Sequence, residues 1–173
     1  MGLSYVEELA QRYFLKKGYI PIMNIRFRID KDKHDKKVAG WSDIDILAIN
    51  PSEVLIIQCK SFLGTKKAEE ISEDILRWFD DALKYLEEDK NFSKWLEGRE
   101  VKKILIIDYT IKKAEDILKN KNIGIVYYEE LLVELLKKLS NDEWKKGKED
   151  DSIIRLLCAL LEKGLVNVDK LSQ

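Results

Sequence analysis

Gly40-Trp-Ser-Asp-Ile-Asp45-Ile-Leu-Ala-Ile-Asn50-Pro-Ser-Glu-Val-Leu55-Ile-Ile-Gln-Cys-Lys60 reads as two strands joined by a turn. Side chains of a strand alternate between faces, so Asp43 and Asp45 share one face while Ile44 and Ile46 take the other. Asn50-Pro51-Ser52-Glu53 has the residue chemistry of a turn. If that turn pairs Ile49 with Val54 in an antiparallel hairpin, Asp45 falls opposite Gln58 and Asp43 opposite Lys60. Cross-strand neighbours lie roughly 4.5–5.5 Å apart at Cβ. Two carboxylates, an amide and an ammonium then gather on one side. A bland reading is a cross-strand ion pair where the strand emerges into solvent. Against it, Val54-Leu-Ile-Ile57 marks a buried strand that ends abruptly in Gln58 and Lys60. Burying such groups is costly unless each finds a partner, and a hard cation held by oxygens is one.

Outward from this hairpin the chain alternates helix and strand. Ser4 to Lys17 carries Val6, Leu9, Ala10, Tyr13 and Phe14 at helical spacing, with Ser4 as N-cap, Glu7 at the capping-box position and Gly18 as terminator. Tyr19 to Ile29 is extended, and Asp30 to Gly40 is a charged loop. A long amphipathic helix with an acidic outer face spans Lys67 to Asp89, its stripe running through Ala68, Ile71, Ile75, Phe79, Ala82, Leu83 and Leu86. Strand, helix, strand and helix follow over Lys103–Tyr109, Lys112–Lys121, Ile123–Tyr128 and Glu129–Leu139. A polar stretch then precedes a final apolar helix, Ile153–Leu161. This order predicts an α/β fold, a three-layer α-β-α sandwich on a central mixed sheet. Residues 1–139 form the main domain; residues 140–173 are a linker and C-terminal helix that covers the domain or forms a homodimer seam.

Composition narrows the chemistry. The 173 residues hold one histidine and two cysteines, Cys59 and Cys158, without metal-ligand spacing. Both thiols read as buried and free. Zinc hydrolases and Ser-His or Cys-His nucleophile systems are disfavoured; carboxylates and lysine must carry any reaction. With 36% charged residues and a net charge of −1, the surface has the interspersed ion pairs of a thermophile protein. Any nucleic-acid site is then a local basic patch, and Arg26, Arg28, Lys36 and Lys37 supply the densest one. Trp41 either stacks on a base or packs. No apolar run is long enough for a bilayer and no signal-peptide pattern opens the chain, so a soluble cytoplasmic protein is expected.

These features together resemble the PD-(D/E)xK nucleases, most closely archaeal Holliday-junction resolvases and Mrr-type endonucleases. The resemblance rests on Asp45, the interval to Gln58-x-Lys60 at the end of an apolar strand, and Glu7 placed eleven positions before Gly18-Tyr19. It implies a restriction-endonuclease-like fold and Mg²⁺- or Mn²⁺-dependent hydrolysis of DNA, with Glu7, Asp45, Gln58 and Lys60 as the catalytic set. Asp45, Gln58 and the Cys59 backbone carbonyl would hold the metal, with Glu7 reaching it through water; Asp43 is the alternative ligand if the register shifts. Lys60, partly desolvated, would act on the attacking water and the phosphate. Two departures stand out: Gln58 replaces the usual acid, as in Mrr-like members, and Ile44-Asp45 replaces Pro-Asp. A catalytically silent module that binds nucleic acid or serves as a scaffold, and a protein-interaction domain working through its acidic helix or apolar tail, are the alternatives.

Overall fold

The computed structural model describes residues 5–29, 40–62, 67–110, 112–141, 151–168 and 170. The chain divides into two compact units, Met1–Val126 and Tyr127–Gln173.

The first unit opens with helix α1 (Tyr5–Lys16), which buries Val6, Leu9, Ala10 and Phe14. Gly18 terminates it at φ 86°, a conformation that glycine adopts without steric penalty. Gly18 N–H donates to the Leu15 carbonyl and Tyr19 N–H to the Phe14 carbonyl, both at 3.0 Å. This paired geometry is a Schellman stop, reinforced by edge-on packing of Phe14 against Tyr19. The expected N-cap, Ser4, lies outside the described residues.

Strands β1 (Ile20–Ile29), β2 (Gly40–Ile49), β3 (Glu53–Phe62), β4 (Glu100–Tyr109) and β5 (Ile123–Tyr127) form one sheet in that order. β1 to β2 and β2 to β3 are antiparallel, and β3 to β4 is parallel, so the sheet is mixed. The β2–β3 turn is an Asx turn. Asn50 Oδ1 accepts from the N–H groups of Ser52 and Glu53 at 2.9 and 2.8 Å, and Asn50 N–H donates to the Glu53 carbonyl at 3.0 Å. That chemistry fixes the register at Ile49↔Val54, as the sequence pattern predicts. Val54, Leu55, Ile56 and Ile57 are all buried, which requires cover on both faces of β3.

Helices α2 (Ala68–Glu88), α3 (Ser93–Leu96) and α4 (Lys112–Asn120) complete this unit. α2 buries Ile71, Ile75, Trp78, Phe79, Ala82 and Leu86; Trp78 joins the predicted stripe because it donates its indole N–H to Ser42 Oγ at 3.0 Å. That bond also identifies the sheet faces. Ser42, Ile44 and Ile46 point toward α2, so Asp43, Asp45 and Leu47 point the other way. α1 packs on β1, β2 and β3, and its Glu7 raises the pKa of Asp45, so α1 covers this second face. Helix, sheet and helix make the three layers. β4 begins three residues before its predicted start because Val101 and Lys102 continue the ladder against Val54 and Leu55. The short α3 was not foreseen; four residues carry too little periodicity to be read.

In the second unit, α5 (Tyr128–Ser140) contacts α6 (Ser152–Glu162). Asp151 caps α6 by accepting from the N–H groups of Ile153 and Ile154 at 2.9 and 3.1 Å. Both α5 and α6 fall in this unit, whereas the sequence reading grouped α5 with residues 1–139. Among the described residues no helix is long and apolar enough to cross a membrane.

The fully buried ring of Phe79 predicts a loss of about 3–5 kcal/mol for Phe79→Ala. Leu15→Ala, on the exposed side of α1, should stay within about 0.5 kcal/mol of the parent. Urea unfolding of the two variants tests whether this packing carries the stability.

Candidate active site

The β2–β3 ladder runs from Ile49↔Val54 to Ile46↔Ile57. By alternation the next hydrogen-bonded pair would be Ile44 with Cys59. Instead, Cys59 N–H donates to the Asp45 side chain, at 2.6 Å from Oδ2. A carboxylate has taken a place belonging to the backbone, and it ties together two strands whose ladder has ended. On the other side of β2, the β1 ladder steps from Met23↔Ile46 to Ile25↔Ile44. Between them Asn24, across from Asp45, adopts φ 55°, a left-handed conformation that asparagine tolerates better than most residues. Regular pairing thus lapses on both sides of Asp45.

Continuing the alternation from Leu47↔Ile56 puts Gln58 and Lys60 on the face of Asp45 and Asp43. Gln58 is only 4% exposed, and its Oε1 is buried without a hydrogen-bond partner. Lys60, at the open end of β3, is exposed rather than partly desolvated as expected, because the strand has left the core by that point. Glu7 and Asp45 are half-buried and Asp43 is exposed.

Electrostatics bind the group together. The Asp45 carboxyl is pushed from its ordinary 3.8 up to about 6, chiefly by burial. The Cys59 N–H opposes this, Glu7 adds to it, Lys60 opposes it and Asp43 adds to it, in falling order. Burial, then the charges of Asp45 and Glu7, push the Cys59 thiol upward too, so it stays protonated and is no nucleophile. Neither cysteine forms a disulfide, as expected, but both are half-buried rather than buried. Among the described residues no cluster of three or more His, Cys, Asp and Glu side chains is arranged to hold a metal. Two acids with neutral oxygens are what this arrangement offers.

No family model matches the chain, and no curated protein does. Among solved structures, a protein of unknown function designated AF1548 superposes with a TM-score of 0.53 at 14% identity, covering 95% of this chain and 98% of that one. The likeness is one of fold. A repair endonuclease from Pyrococcus abyssi superposes with a TM-score of 0.40 at 16% identity, over 73% of this chain and 47% of that chain.

Of the residues proposed from sequence to touch nucleic acid, Arg26, Arg28 and Trp41 lie on the Asp45 face. Arg26 pairs with Asp43 and Arg28 with Trp41 across β1 and β2. Trp41 is 70% exposed, so it does not pack into the core. Lys36 and Lys37 lie outside the described residues. Two features escaped the sequence reading. One is Asn24. The other is Asp108, whose Oδ2 accepts from Tyr5 Oη at 2.8 Å and pins the start of α1 to the end of β4. Its signal was present: Ile104-Leu-Ile-Ile107 breaks into a charged residue just as Val54-Leu-Ile-Ile57 breaks into Gln58.

Since the folded carboxyl of Asp45 binds its proton more tightly than an unfolded one, its contribution is present below pH 3.8 and lost as pH rises through about 6. Without divalent ions, Asp45→Asn should therefore be more stable than the parent at pH 8, by up to about 3 kcal/mol, with the gain gone below pH 4. Thermal melts of both proteins across this range, in chelator, check the sign; a destabilised variant at pH 8 would contradict it.

Proposed function

We propose that this chain is a divalent-metal-dependent nuclease hydrolysing DNA phosphodiester bonds, with Asp45, Gln58, Lys60 and Glu7 as its working residues. The observation that carries the reading is the orphaned Oε1 of Gln58, buried on the same face as a desolvated carboxylate. A buried amide oxygen without a partner costs about 1–3 kcal/mol. A hard cation satisfies it and offsets the Asp45 charge together. The donor set is all oxygen, which suits Mg²⁺ or Mn²⁺ and disfavours zinc.

Asp45 and Gln58 would hold the ion, the former through its second carboxylate oxygen, since Oδ2 is engaged by Cys59 N–H. The Cys59 carbonyl is a further candidate, and Glu7 would reach the site through water. A bound divalent ion supplies a water of lowered pKa and offsets charge on the phosphate oxygens. Lys60 contributes an exposed ammonium at the mouth of the site, where it can orient the attacking water and steady the phosphate as charge develops. The AF1548 likeness supports the fold on which this rests and nothing beyond it.

Cleavage of a labelled DNA substrate should require Mg²⁺ or Mn²⁺ and stop in excess chelator. Lys60→Met keeps the aliphatic stem and removes the charge. It should slow cleavage roughly 10²–10³-fold, as expected for losing one such stabilising group, while DNA affinity and melting temperature hold. A Lys60→Met protein that cuts at the parent rate would reduce the lysine to an ion-pair partner. Gln58→Glu should tighten Mn²⁺ binding by calorimetry; an unchanged titration would place Gln58 outside the ligand set.

A further inference from the structure

We propose that the outer edge of the Asp45 face is a binding site for an unpaired DNA strand, with Trp41 as the stacking surface for a base and Arg26 beside it. This inference rests on the nuclease reading for its meaning and concerns the substrate class of the same site.

An indole 70% exposed on a sheet face needs a reason, because a large aromatic left in water forfeits the burial that usually justifies its place. The ring is not adrift. The Arg26 guanidinium carbon lies 6.0 Å from its centroid, within cation–π range, and Arg28 stands directly across the ladder. Two clefts meet at this ring. One is lined by Asn24, Arg26, Trp41, Ser42 and Asp43. The other, of about 450 Å³, reaches round the β1 edge of the sheet from Arg26, Arg28 and Trp41 to Phe27, Lys84 and Tyr85 on the α2 side. An aromatic face with flanking cations and a cleft beside it is the arrangement that holds single strands: bases stack while the cations follow the backbone. The second cleft also carries Asp81 and Glu88. These acids repel a continuous phosphate backbone, so its basic character is local and suits a short run of nucleotides better than a duplex. A duplex, moreover, hides its base faces in its own stack and can offer one only by flipping it out.

Position supports the same substrate. Trp41 and Asp45 are four residues apart on one face of β2, so they stand about 14 Å apart along the strand. A strand stacked at Trp41 can therefore present a phosphodiester a few nucleotides away to Asp45 and Gln58.

The test is fluorescence anisotropy of the full chain in chelator, with a labelled oligothymidylate and a blunt duplex of equal length. The parent should bind the single strand more tightly. Trp41→Ala should weaken that binding roughly 5- to 150-fold, the range for losing one base–aromatic stack, and leave duplex binding unchanged. Trp41→Phe should restore most of the loss. Arg26→Lys, which keeps the charge but loses the planar group, should weaken single-strand binding as well. Parent-like single-strand binding by a folded Trp41→Ala, or a parent that prefers the duplex, overturns the proposal. Because no hydrolysis is measured, these outcomes are separable from failure of the nuclease reading, which would show instead as a parent chain that cleaves no DNA with Mg²⁺ or Mn²⁺ present, or that cleaves it equally well in excess chelator.

Discussion

Much of this site depends on the hydrogen bond from Cys59 N–H to Asp45 Oδ2. A hydrogen bond to a charged group contributes about 1.5–3 kcal/mol net, and this one stands where a backbone bond would otherwise continue the ladder. Its geometric effect exceeds its energy. With the side chain of Asp45 in place of the Ile44 carbonyl, β2 and β3 are tied beyond the point where their ladder stops, and one oxygen of the carboxylate is fixed in direction. Gln58, one residue before that N–H, stays buried beside the junction instead of being paired and spent. The positive φ of Asn24 adds to the same outcome from the β1 side. Asp45 is therefore held by one defined side-chain contact at a point where pairing skips it on the β1 side and has ended on the β3 side.

The two ends of β3 show why chemistry gathers at one of them. At its start, Glu53 accepts from Lys102 and from Tyr19, a closed arrangement in which each polar group is answered by another. The lysine and tyrosine bonds hold the Glu53 carboxyl below its ordinary 4.5, while burial and Glu53 push the Tyr19 hydroxyl up to about 12. Such a cluster stabilises and offers nothing to a ligand. At the other end, beside the parallel strand β4, the polar groups are unequal in number and kind, with an amide oxygen left over. Ligands of α/β sheets commonly sit beyond the carboxyl ends of parallel strands, and β3 and β4 end there. The Tyr5–Asp108 bond ties the first turn of α1, the helix that carries Glu7, to the end of β4.

What could be read from sequence divides along the same physical line. Alternation, the turn residues Asn50–Glu53 and the uninterrupted Val54–Ile57 run are local signals, and they put Asp45, Gln58 and Lys60 on one face. The opening helix was legible for the same reason, through Gly18. The early end of the β2–β3 ladder was not legible, because there a side chain takes the N–H that a backbone carbonyl would otherwise accept from, and alternation says nothing of which wins. Burial was overestimated where β3 emerges: Lys60 is exposed because the strand outruns its cover, and the Cys59 thiol is half-buried. Asn24 could not be read, since asparagine is common in turns and nothing local marks a left-handed residue within a strand.

The amide at position 58 then acquires a physical rationale. Asp45 is already held above its normal range, chiefly by burial, with Glu7 and Asp43 adding to that rise and the Cys59 N–H and Lys60 opposing it. A further carboxylate at a position 4% exposed would lose most of its hydration and face those charges at close range, where low dielectric magnifies repulsion. Folding without an ion would be harder. Glutamine keeps the oxygen and omits the charge, at the expense of ion affinity. On the proposed metal-dependent reading, the site would be a compromise between a sheet that must fold before any ion arrives and a centre that needs negative charge to hold one. The remaining unsatisfied oxygen marks where that compromise was struck.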